Sequence, residues 1–252
     1  MLRHRVIPVL LNSNDGLVKT MNFKNPTYIG DPINAVRIFN EKQVDELIIL
    51  DIDRSKLRLG PNLSLIRAIT PGCFMPVSYG GGIRNLNDAK EVFDLGIEKI
   101  VIQNTLFSDM NVVNKIATTY GSQSVIASID IYRDSQDKFF VYDSAQNRKL
   151  NMTLETILLK LKNSLIGELI ITSYDREGTL SGFDLELIMK VKNFIKVPII
   201  AHGGAGKIED LSDAITAGAD AVAAGSLFVF YGSRDSILIN YPKYEHIERF
   251  LR

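Results

Sequence analysis

Asp130 is the acidic residue in this sequence that is best placed for acid–base chemistry. It ends an apolar run, IASID, that is typical of a buried strand. A carboxylate in that position is costly unless it is solvated, hydrogen-bonded or functional, so we predict that Asp130 is a general acid or base. Asp51, Asp175 and Glu177 also lie at or beyond the ends of apolar runs. The last two could instead pair with Arg176 or cap a turn.

Two glycine-rich turns, SYGGGIRN and AHGGAGKIED, are suited to binding anions. Glycines leave room for backbone amides to approach an anion, and the helix that begins behind each turn adds its partial positive charge. The QNT and AGS segments supply further amides and hydroxyl groups. The residues concerned are Gly81, Gly82, Asn104 and Thr105 at the first site and Gly203, Gly204, Gly225 and Ser226 at the second. Because the arrangement occurs twice, we predict a ligand with a phosphate group at each end; the alternative is that the glycines only shape tight turns.

His202 lies beside the second glycine turn. It could contact a phosphate or titrate near neutral pH, although a lone histidine more often packs or hydrogen-bonds within a structure. The sequence contains no Cys/His cluster with the spacing of metal ligands. We therefore expect neither a metal nor another cofactor.

Four charged residues stand at or just before the starts of apolar runs and alternate in sign. They are Arg5, Glu46, Lys99 and Glu168. Isolated charges at strand starts are usually solvated. If these four converge on a common axis they could instead form a salt-bridged ring, and the sequence leaves both alternatives open.

Eight short β-branched runs alternate with amphipathic segments along the chain. The predicted strands are Val6–Leu11, Glu46–Ile52, Met75–Ser78, Lys99–Ile102, Ser124–Asp130, Glu168–Thr172, Val197–Ala201 and Ala221–Ala224. The predicted helices include Pro32–Lys42, Asn85–Leu95, Val112–Tyr120, Leu154–Lys162, Asp184–Asn193 and Ile208–Ala217. This alternation predicts an α/β protein with a parallel sheet and crossover helices. Eight such units predict a closed (β/α)8 TIM barrel, whose chemistry occurs at the C-terminal ends of the strands.

An internal repeat relates the two halves of the chain. An offset of 122 residues brings ELIILDIDR, from Glu46, onto ELIITSYDR, from Glu168, and the first glycine turn onto the second. We predict one barrel domain over residues 1–252, made of half-barrels of about residues 1–122 and 123–252. With an offset of 119 the first strand falls on the fifth, so that Leu11 is the counterpart of Asp130. Beyond Leu11 we predict a polar loop with the turn signal Asp15-Gly16.

The overall composition excludes several classes of protein. Lys plus Arg and Asp plus Glu balance at 29 each, so the basic excess typical of nucleic-acid binding is absent. The single cysteine, Cys73, excludes an intramolecular disulfide and fits a reducing compartment. The first apolar run is too short for a signal peptide, and no run reaches the length of about 18 residues that spans a membrane. We therefore expect a cytoplasmic protein with no nucleic-acid or membrane partner.

The motifs GGGI, NT, DREGT...SGFD, IIAHGGAGK and GADAVAAGSLF, with GSQ before the fifth strand, resemble those of HisF, the cyclase subunit of imidazole glycerol phosphate synthase. The resemblance covers nearly the whole chain, from Leu2 to about Phe230. It implies a lyase in a glutamine amidotransferase complex, in which a glutaminase (HisH-like) partner docks under the barrel and its ammonia passes along the barrel axis. At the top, the ammonia cleaves and cyclises a bisphosphorylated ribonucleotide into imidazole glycerol phosphate and an aminoimidazole carboxamide ribotide.

The resemblance also implies roles for individual residues. Asp130 corresponds to one catalytic carboxylate of the family, and the two glycine turns correspond to its two phosphate sites. The family's ammonia gate falls on Arg5, Glu46, Lys99 and Glu168. Substrate-binding positions at the mouth of its active site fall on Lys19, Asp51, Glu177 and Gly178.

Leu11 is the main departure from the family, whose other catalytic carboxylate falls at this position. Leucine cannot transfer a proton, and loss of one acid–base partner typically lowers a rate by about 10²–10⁴. Glu177 stands where the family has Asp, His202 stands where it has Ser, and the tail FVFYGSRDSILINYP also differs. These departures favour a divergent paralogue that works with a glutaminase and a third, sugar-modifying amidotransferase, supplying ammonia for an acetamidino group of a surface polysaccharide.

Three alternatives remain open at this point. The chain could be an authentic cyclase of histidine biosynthesis. It could be a non-catalytic barrel that binds partners and conducts ammonia. It could also be the sister isomerase of the same pathway, which shares the half-barrel repeat but needs neither a glutaminase nor a gate.

Overall fold

The computed structural model describes residues 4–231 and 236–251. Numbered along the chain, its strands are β1 (Arg5–Ser13), β2 (Gly16–Met21), β3 (Lys24–Gly30), β4 (Leu47–Asp51), β5 (Val77–Gly80), β6 (Lys99–Ile102), β7 (Val125–Arg133), β8 (Phe139–Asp143), β9 (Arg148–Thr153), β10 (Glu168–Ser173), β11 (Ile199–His202), β12 (Ala221–Ala224), β13 (Phe230–Tyr231) and β14 (Ser236–Ile237). Its helices are α1 (Pro32–Glu41), α2 (Leu63–Ile69), α3 (Leu86–Asp94), α4 (Asn104–Ser108), α5 (Met110–Tyr120), α6 (Leu154–Lys162), α7 (Leu185–Phe194), α8 (Ile208–Thr216) and α9 (Tyr244–Leu251).

Strands β1, β4, β5, β6, β7, β10, β11 and β12 pair in that order, all parallel, and β12 pairs again with β1. Within the described residues this makes a closed ladder of eight strands. Parallel neighbours need crossover connections, and helices supply them between consecutive barrel strands. The structure thus confirms the predicted (β/α)8 TIM barrel.

Side chains of the barrel strands divide between two cores because successive strand residues point to opposite faces. Ile7, Val9 and Ile126 belong to the cluster inside the barrel. Leu10 belongs instead to the larger cluster that contains helix residues such as Phe39. The apolar inner face leaves the polar chemistry of the barrel to its two ends.

Side-chain caps fix where the helices begin. Asn85 accepts a hydrogen bond from the backbone N of Asp88 at the start of α3. Asp184 does the same with Leu187 at the start of α7. Each cap satisfies a backbone N–H that has no partner within its helix, so both helices begin one residue later than predicted.

Five barrel strands end later than the sequence predicted, namely β1, β5, β7, β10 and β11. Strands β5 and β11 run to Gly80 and His202 rather than to Ser78 and Ala201. At Gly80 a Cβ would lie 2.8 Å from Leu50 Cδ2, so glycine continues the ladder where a side chain would not fit. His202 is consequently the last residue of a barrel strand.

Antiparallel hairpins β2–β3 and β8–β9 extend the barrel strands β1 and β7 at the C-terminal end of the barrel. The predicted loop with a turn at Asp15-Gly16 is wrong in detail. Asn14 and Asp15 form the turn, with φ of 49° and 59°, and Gly16 already pairs with Ser13. Left-handed values at both turn residues are typical of a type I′ hairpin. The sequence did not reveal the hairpin because β3 is largely exposed and lacks apolar alternation.

The C-terminal segment packs back against the barrel. The Tyr241 hydroxyl donates to the backbone oxygen of Val6 at 3.1 Å, and its ring centroid lies 5.0 Å from that of Phe228. Within the tail FVFYGSRDSILINYP, residues 232–235 lie outside the described residues. Across the part of the chain that the structure describes, no helix is long and apolar enough to cross a membrane.

Replacing Tyr79 with Phe should destabilise the barrel. The Tyr79 hydroxyl is fully buried and accepts a hydrogen bond from the backbone N of Asn62 at 2.9 Å. Because the change leaves a buried N–H without a partner, the free energy of unfolding should fall by about 1–3 kcal/mol. Urea unfolding measures this change. The matched control is Tyr28→Phe, because Tyr28 is 63% exposed. Equal effects of the two changes would contradict this account.

Candidate functional site

Asp130 lies at the C-terminal end of the barrel and is 3% exposed. Its carboxylate accepts a hydrogen bond from Gln103 Nε2 at 2.7 Å, and Gln103 Oε1 accepts in turn from Ser144 Oγ at 2.8 Å. Burial raises the pKa of Asp130 to about 6 against the effect of the Gln103 hydrogen bond, and the charge of Glu177 adds to the rise. A carboxyl group in this state can accept and release a proton near neutral pH.

Leu11 lies at the corresponding end of β1, where it pairs with Leu50 of β4. Both leucines pack against the cluster inside the barrel. Leu11 also lines a cavity at the mouth of the barrel. An apolar side chain therefore occupies the position at which the sequence repeat places a carboxylate in the other half.

This cavity lies beside the second glycine turn and brings together most of the residues predicted for the second anion site. Its lining includes Leu11, Lys19, Glu177, Gly178, His202, Gly203, Gly204, Gly225 and Ser226. Gly203 and Gly204 have φ of 89° and 112°, values that favour glycine. A Cβ at Gly204 would lie 2.1 Å from the backbone oxygen of Gly182, so the turn cannot take a side chain there.

Lys19 reaches the cavity from β2 and is 5% exposed. Its Nζ donates to the backbone oxygen of Val9 at 2.8 Å. A Cβ at Gly225 would lie only 2.0 Å from Nζ. Burial lowers the pKa of Lys19 to about 8, and the charge of Glu177 partly offsets this. An ammonium group held against a glycine turn is suited to bind an anion such as phosphate.

His202 contacts the same layer of side chains from β11. Its Nδ1 lies 3.1 Å from Thr172 Oγ1. Burial lowers the pKa of His202 to about 3, and the charge of Lys19 contributes. The lowered pKa favours a neutral imidazole, which agrees with the alternative that His202 hydrogen-bonds within the structure. Within the described residues no group of three or more His, Cys, Asp or Glu side chains could hold a metal ion.

The first glycine turn has a similar backbone form. Gly81 and Gly82 have φ of 131° and 73°. Thr105 Oγ1 donates at 2.6 Å to the backbone oxygen of the residue that follows the turn, and Asn104 Nδ2 donates to Asp143 Oδ1 at 3.2 Å. These two side chains hold the turn and its surroundings, so an anion at this turn would be bound chiefly by backbone amides.

Asp51 supports the first glycine turn and does not line the cavity beside the second. It is 4% exposed and accepts hydrogen bonds from Asn12 Nδ2 at 2.9 Å and Asn62 Nδ2 at 3.1 Å. A Cβ at Gly81 would lie 2.5 Å from the Asp51 backbone oxygen. Burial raises the pKa of Asp51 against these hydrogen bonds.

Glu177 ties the loop after β10 to the β2–β3 hairpin. Its Oε1 accepts from Thr20 Oγ1 at 2.7 Å, and its Oε2 accepts from the backbone N of Phe23 at 2.8 Å. Gly178 has φ of 74° and approaches the hairpin so closely that a Cβ would lie 2.1 Å from the Thr20 backbone oxygen. The loops after the first and sixth barrel strands are thereby joined at the mouth.

The neighbouring charges of that loop bond elsewhere. Asp175 Oδ2 accepts from the backbone N of Arg133 at 2.9 Å. Arg176 Nη1 donates to the backbone oxygen of Ser181 at 2.9 Å. Arg176 thus fixes the turn of its own loop.

Several residues at the mouth gave no signal in the sequence. Phe23 stacks on Tyr174 with centroids 5.7 Å apart, and Tyr142 lies 4.3 Å from Tyr174. Phe23 lies in the β2–β3 turn, Tyr142 on β8 and Tyr174 in the loop after β10, so only the folded chain brings them together. Thr172 did have a usable signal, because it ends a predicted strand and pairs in register with Asp130.

The four charged residues at the opposite end of the barrel meet. Arg5 Nη1 lies 2.6 Å from Glu46 Oε2, and Arg5 Nη2 lies 2.8 Å from Glu168 Oε2. Lys99 Nζ lies 3.1 Å from Glu46 Oε2 and 2.8 Å from Glu168 Oε1. Each cation contacts both carboxylates, so of the two alternatives the structure has the salt-bridged ring.

The charge ring, defined by these four residues, is largely buried. Glu46 is 2% exposed and also accepts from Ser78 Oγ at 2.8 Å. Burial alone would lower the pKa of Arg5. Its hydrogen bonds and charge interactions with Glu168 and Glu46 outweigh burial, so the pKa lies above its usual value. Burial raises the pKa of Glu168, but hydrogen bonds from Arg5 and Lys99 bring it below its usual value. Mutual contacts thus stabilise the charged forms.

Comparisons with known proteins agree with this geometry. The family model described as "Histidine biosynthesis protein" matches residues 5–234. The chain is 46% identical over 243 residues to "Putative imidazole glycerol phosphate synthase subunit hisF2" of Pseudomonas aeruginosa, covering 96% of this chain and 97% of that protein. It is 41% identical over 250 residues to a protein of Leptospira interrogans named "Putative imidazole glycerol phosphate synthase subunit HisF", covering 98% of each. It is 32% identical over 230 residues to the imidazole glycerol phosphate synthase subunit HisF of Dictyoglomus thermophilum, covering 91% of each.

Replacing Glu46 with Gln should destabilise the protein, because Arg5 and Lys99 would then share one carboxylate. We expect the free energy of unfolding to fall by about 1–3 kcal/mol, less than the loss of about 3–5 kcal/mol for a fully buried pair, since both cations are partly exposed. Urea unfolding measures the change. The control is Lys90→Gln, which removes an exposed pair with Asp94 and should have no measurable effect. The account fails if both variants lose the same stability.

Replacing Asp130 with Asn should stabilise the protein at pH 8. The folded pKa, about 6, is above the usual carboxyl value, so the folded state binds more protons between these values and stability falls as pH rises through about 4–6. The shift sets an upper limit of about 3 kcal/mol on the gain at pH 8. Unfolding curves at pH 8 and pH 4.5 test this, since the gain should shrink at the lower pH. An Asn variant that is less stable than the natural protein at pH 8 would contradict the prediction.

Proposed function

This chain belongs to the HisF-type imidazole glycerol phosphate synthase subunits of the histidine biosynthesis protein family, and from that premise we propose that it receives ammonia from a glutaminase partner. We further propose that it is a divergent paralogue, which delivers this ammonia for amidination of a surface-polysaccharide sugar. The observation that carries the proposal is the combination of an intact charge ring at one end of the barrel with Leu11 at the other.

The charge ring supports an ammonia entrance. It closes the N-terminal end of the barrel interior with neutral net charge, since two cations face two carboxylates. At the same end of the barrel, Phe74 precedes β5 and is 89% exposed. A large exposed aromatic side chain is typical of an anchor in a protein–protein interface. We therefore propose that a glutaminase docks on this end.

The interior above the ring supports conduction of neutral ammonia. Ile7, Val9, Ile126 and Ile170 form an apolar cluster inside the barrel. Transfer of an ammonium ion into such surroundings is far more costly than transfer of a neutral molecule. Leu11 continues this apolar lining up to the cavity at the mouth.

Leu11 argues against full cyclase activity. The family resemblance implies two catalytic carboxylates, of which this chain retains Asp130. Loss of one acid–base partner lowers a rate by about 10²–10⁴. Five relatives with "Putative" HisF names are 39–46% identical to the chain, whereas three named HisF without that word are 32–33% identical. This difference supports a separate branch of the family, in which a sugar-amidating enzyme would be the acceptor of ammonia.

An authentic cyclase of histidine biosynthesis is the second candidate. The retained Asp130, with its raised pKa, and the two glycine turns favour it. A non-catalytic barrel that only binds partners and conducts ammonia is the third. The buried carboxylate of Asp130 argues against it, because burying a charged group is costly and conduction of ammonia does not require one.

The test supplies ammonium salt and the bisphosphorylated ribonucleotide substrate to the purified protein. We expect turnover to lie at least about 10² below that of a HisF with both carboxylates, and Leu11→Asp to raise it. The matched control is Leu50→Asp, since Leu50 pairs with Leu11 but is not the counterpart of a carboxylate. Turnover of the natural protein equal to that of the Dictyoglomus thermophilum HisF would overturn the paralogue and establish the cyclase.

A complex of this protein with its glutaminase tests whether the barrel is non-catalytic. With the glutaminase bound and glutamine as the nitrogen source, Lys99→Met should abolish ammonia delivery to the acceptor. If Asp130→Asn then leaves the output of the complex unchanged, Asp130 has no catalytic role and the barrel only conducts.

A further inference from the structure

Three polar side chains form one continuous layer at the mouth of the barrel. The register of β7 with β10 pairs Asp130 with Thr172, and the register of β10 with β11 pairs Thr172 with His202. Residues paired in this way on neighbouring parallel strands point to the same face of the sheet. The threonine therefore stands between the buried carboxylate and the imidazole.

The three groups are linked one to the next. Strand pairing sets Thr172 beside Asp130, and the Thr172 side chain is among the groups that lower the pKa of that carboxyl. Thr172 Oγ1 lies 3.1 Å from His202 Nδ1. A hydroxyl has one proton to donate. An ionised carboxylate is a stronger acceptor than a neutral imidazole nitrogen, so when Asp130 is ionised the Thr172 hydroxyl donates to Asp130. His202 Nδ1 must then carry a proton and donate to Thr172 Oγ1. The other ring nitrogen, Nε2, is then an unprotonated acceptor.

Nε2 is the ring nitrogen that His202 has left to offer to a ligand. His202 lines the cavity beside the second glycine turn, together with Lys19 and Gly203. Its Nδ1 is used by Thr172. A group bound at this turn would thus meet one end of the hydrogen-bonded layer.

We propose that Asp130, Thr172 and His202 form a proton relay that carries a proton between the top of the barrel interior and a ligand held at the second glycine turn. The relay deepens the proposed function and rests on it for the presence of that ligand. It gives the mouth of the barrel a second proton-carrying group, at the cavity that Leu11 also lines.

The transfer balances as three coupled steps. Protonated Asp130 gives its proton to Thr172 Oγ1, and Thr172 gives its own hydroxyl proton to His202 Nδ1. His202 gives the proton on Nε2 to the ligand. Three O–H or N–H bonds break and three form, so one proton leaves Asp130 and one reaches the ligand. His202 changes tautomer but never becomes a cation, in agreement with its neutral state.

Charged and titratable groups from each neighbouring element face this layer. Tyr142 of β8 and Glu177 after β10 act on Asp130, and Lys19 of β2 acts on His202. Burial raises the pKa of Tyr142 to about 12, so it stays neutral over the range of interest. Lys19, with a pKa of about 8, stays largely charged below pH 7.5. Between pH 7.5 and pH 5, protonation of Asp130 is therefore the change to which His202 responds.

Nitrogen-15 NMR of the histidine rings tests the relay directly. The chain has three histidines, so His4→Gln and His246→Gln identify the resonances of His202 by elimination. At pH 7.5 we expect the Nδ1–H tautomer, with Nε2 unprotonated. As the pH falls to 5, a growing fraction should become the Nε2–H tautomer, with a midpoint near the pKa of Asp130.

Two variants separate the relay from a local effect on the imidazole. Thr172→Val removes the hydroxyl, and the tautomer should then no longer depend on pH, whereas Thr172→Ser should restore the dependence. Asp130→Asn should abolish it as well. The relay is overturned if His202 is an Nε2–H tautomer at pH 7.5, if its tautomer does not change with pH, or if Thr172→Val leaves the change intact.

These measurements need neither a glutaminase nor a substrate. If the tautomer of His202 does not respond to pH but Leu11→Asp raises turnover as expected, the relay is overturned and the proposed function stands. A pH-dependent tautomer in a protein that shows no ammonia delivery would overturn the proposed function and leave the relay.

Discussion

Closure of a parallel ladder obliges every second residue of a barrel strand to face the axis, and both ends of this molecule follow from that constraint. On β1 it places Arg5 at one end and Leu11 at the other, with Ile7 and Val9 between them on the same face. One strand thus contributes to the charge ring, the apolar interior and the mouth. A shift of register by one residue would exchange all three features for their neighbours on the helix side.

The two ends of the barrel treat charge in opposite ways. In the charge ring, each ionised group meets two partners of opposite sign, and the contacts of Arg5 and Glu168 favour their charged forms. At the mouth, burial works against the charged forms of Asp130, Lys19 and His202. Arg5 and Glu168 are therefore held in their charged forms, whereas Asp130 and Lys19 at the mouth lie within reach of a change near neutral pH. The charge ring therefore closes the barrel, whereas the mouth holds the groups that can exchange protons.

The sequence predicted the barrel because the repeat from Glu46 to Glu168 recurs at the spacing of whole βα units, and such spacing depends on local pattern alone. It also left the charge ring as one of two alternatives, since strand starts can be located but the rotamers that join them cannot. The sequence could not predict the position of Asp51. Its hydrogen bonds from Asn12 and Asn62 depend on strand pairing and on the start of α2. The hairpin β2–β3 was missed for a different reason: its outer strand is solvated and carries no apolar period.

The close approach of Lys19 to Gly225 has a consequence for how this family can diverge. The space that a β-carbon would need at position 225 is already taken by the lysine amine, 2.0 Å away. Two positions more than 200 residues apart in the sequence are therefore coupled: any side chain at position 225 would displace the flexible end of Lys19 and break its hydrogen bond to the Val9 backbone oxygen. By contrast, a shorter side chain at position 19 would free position 225 to vary.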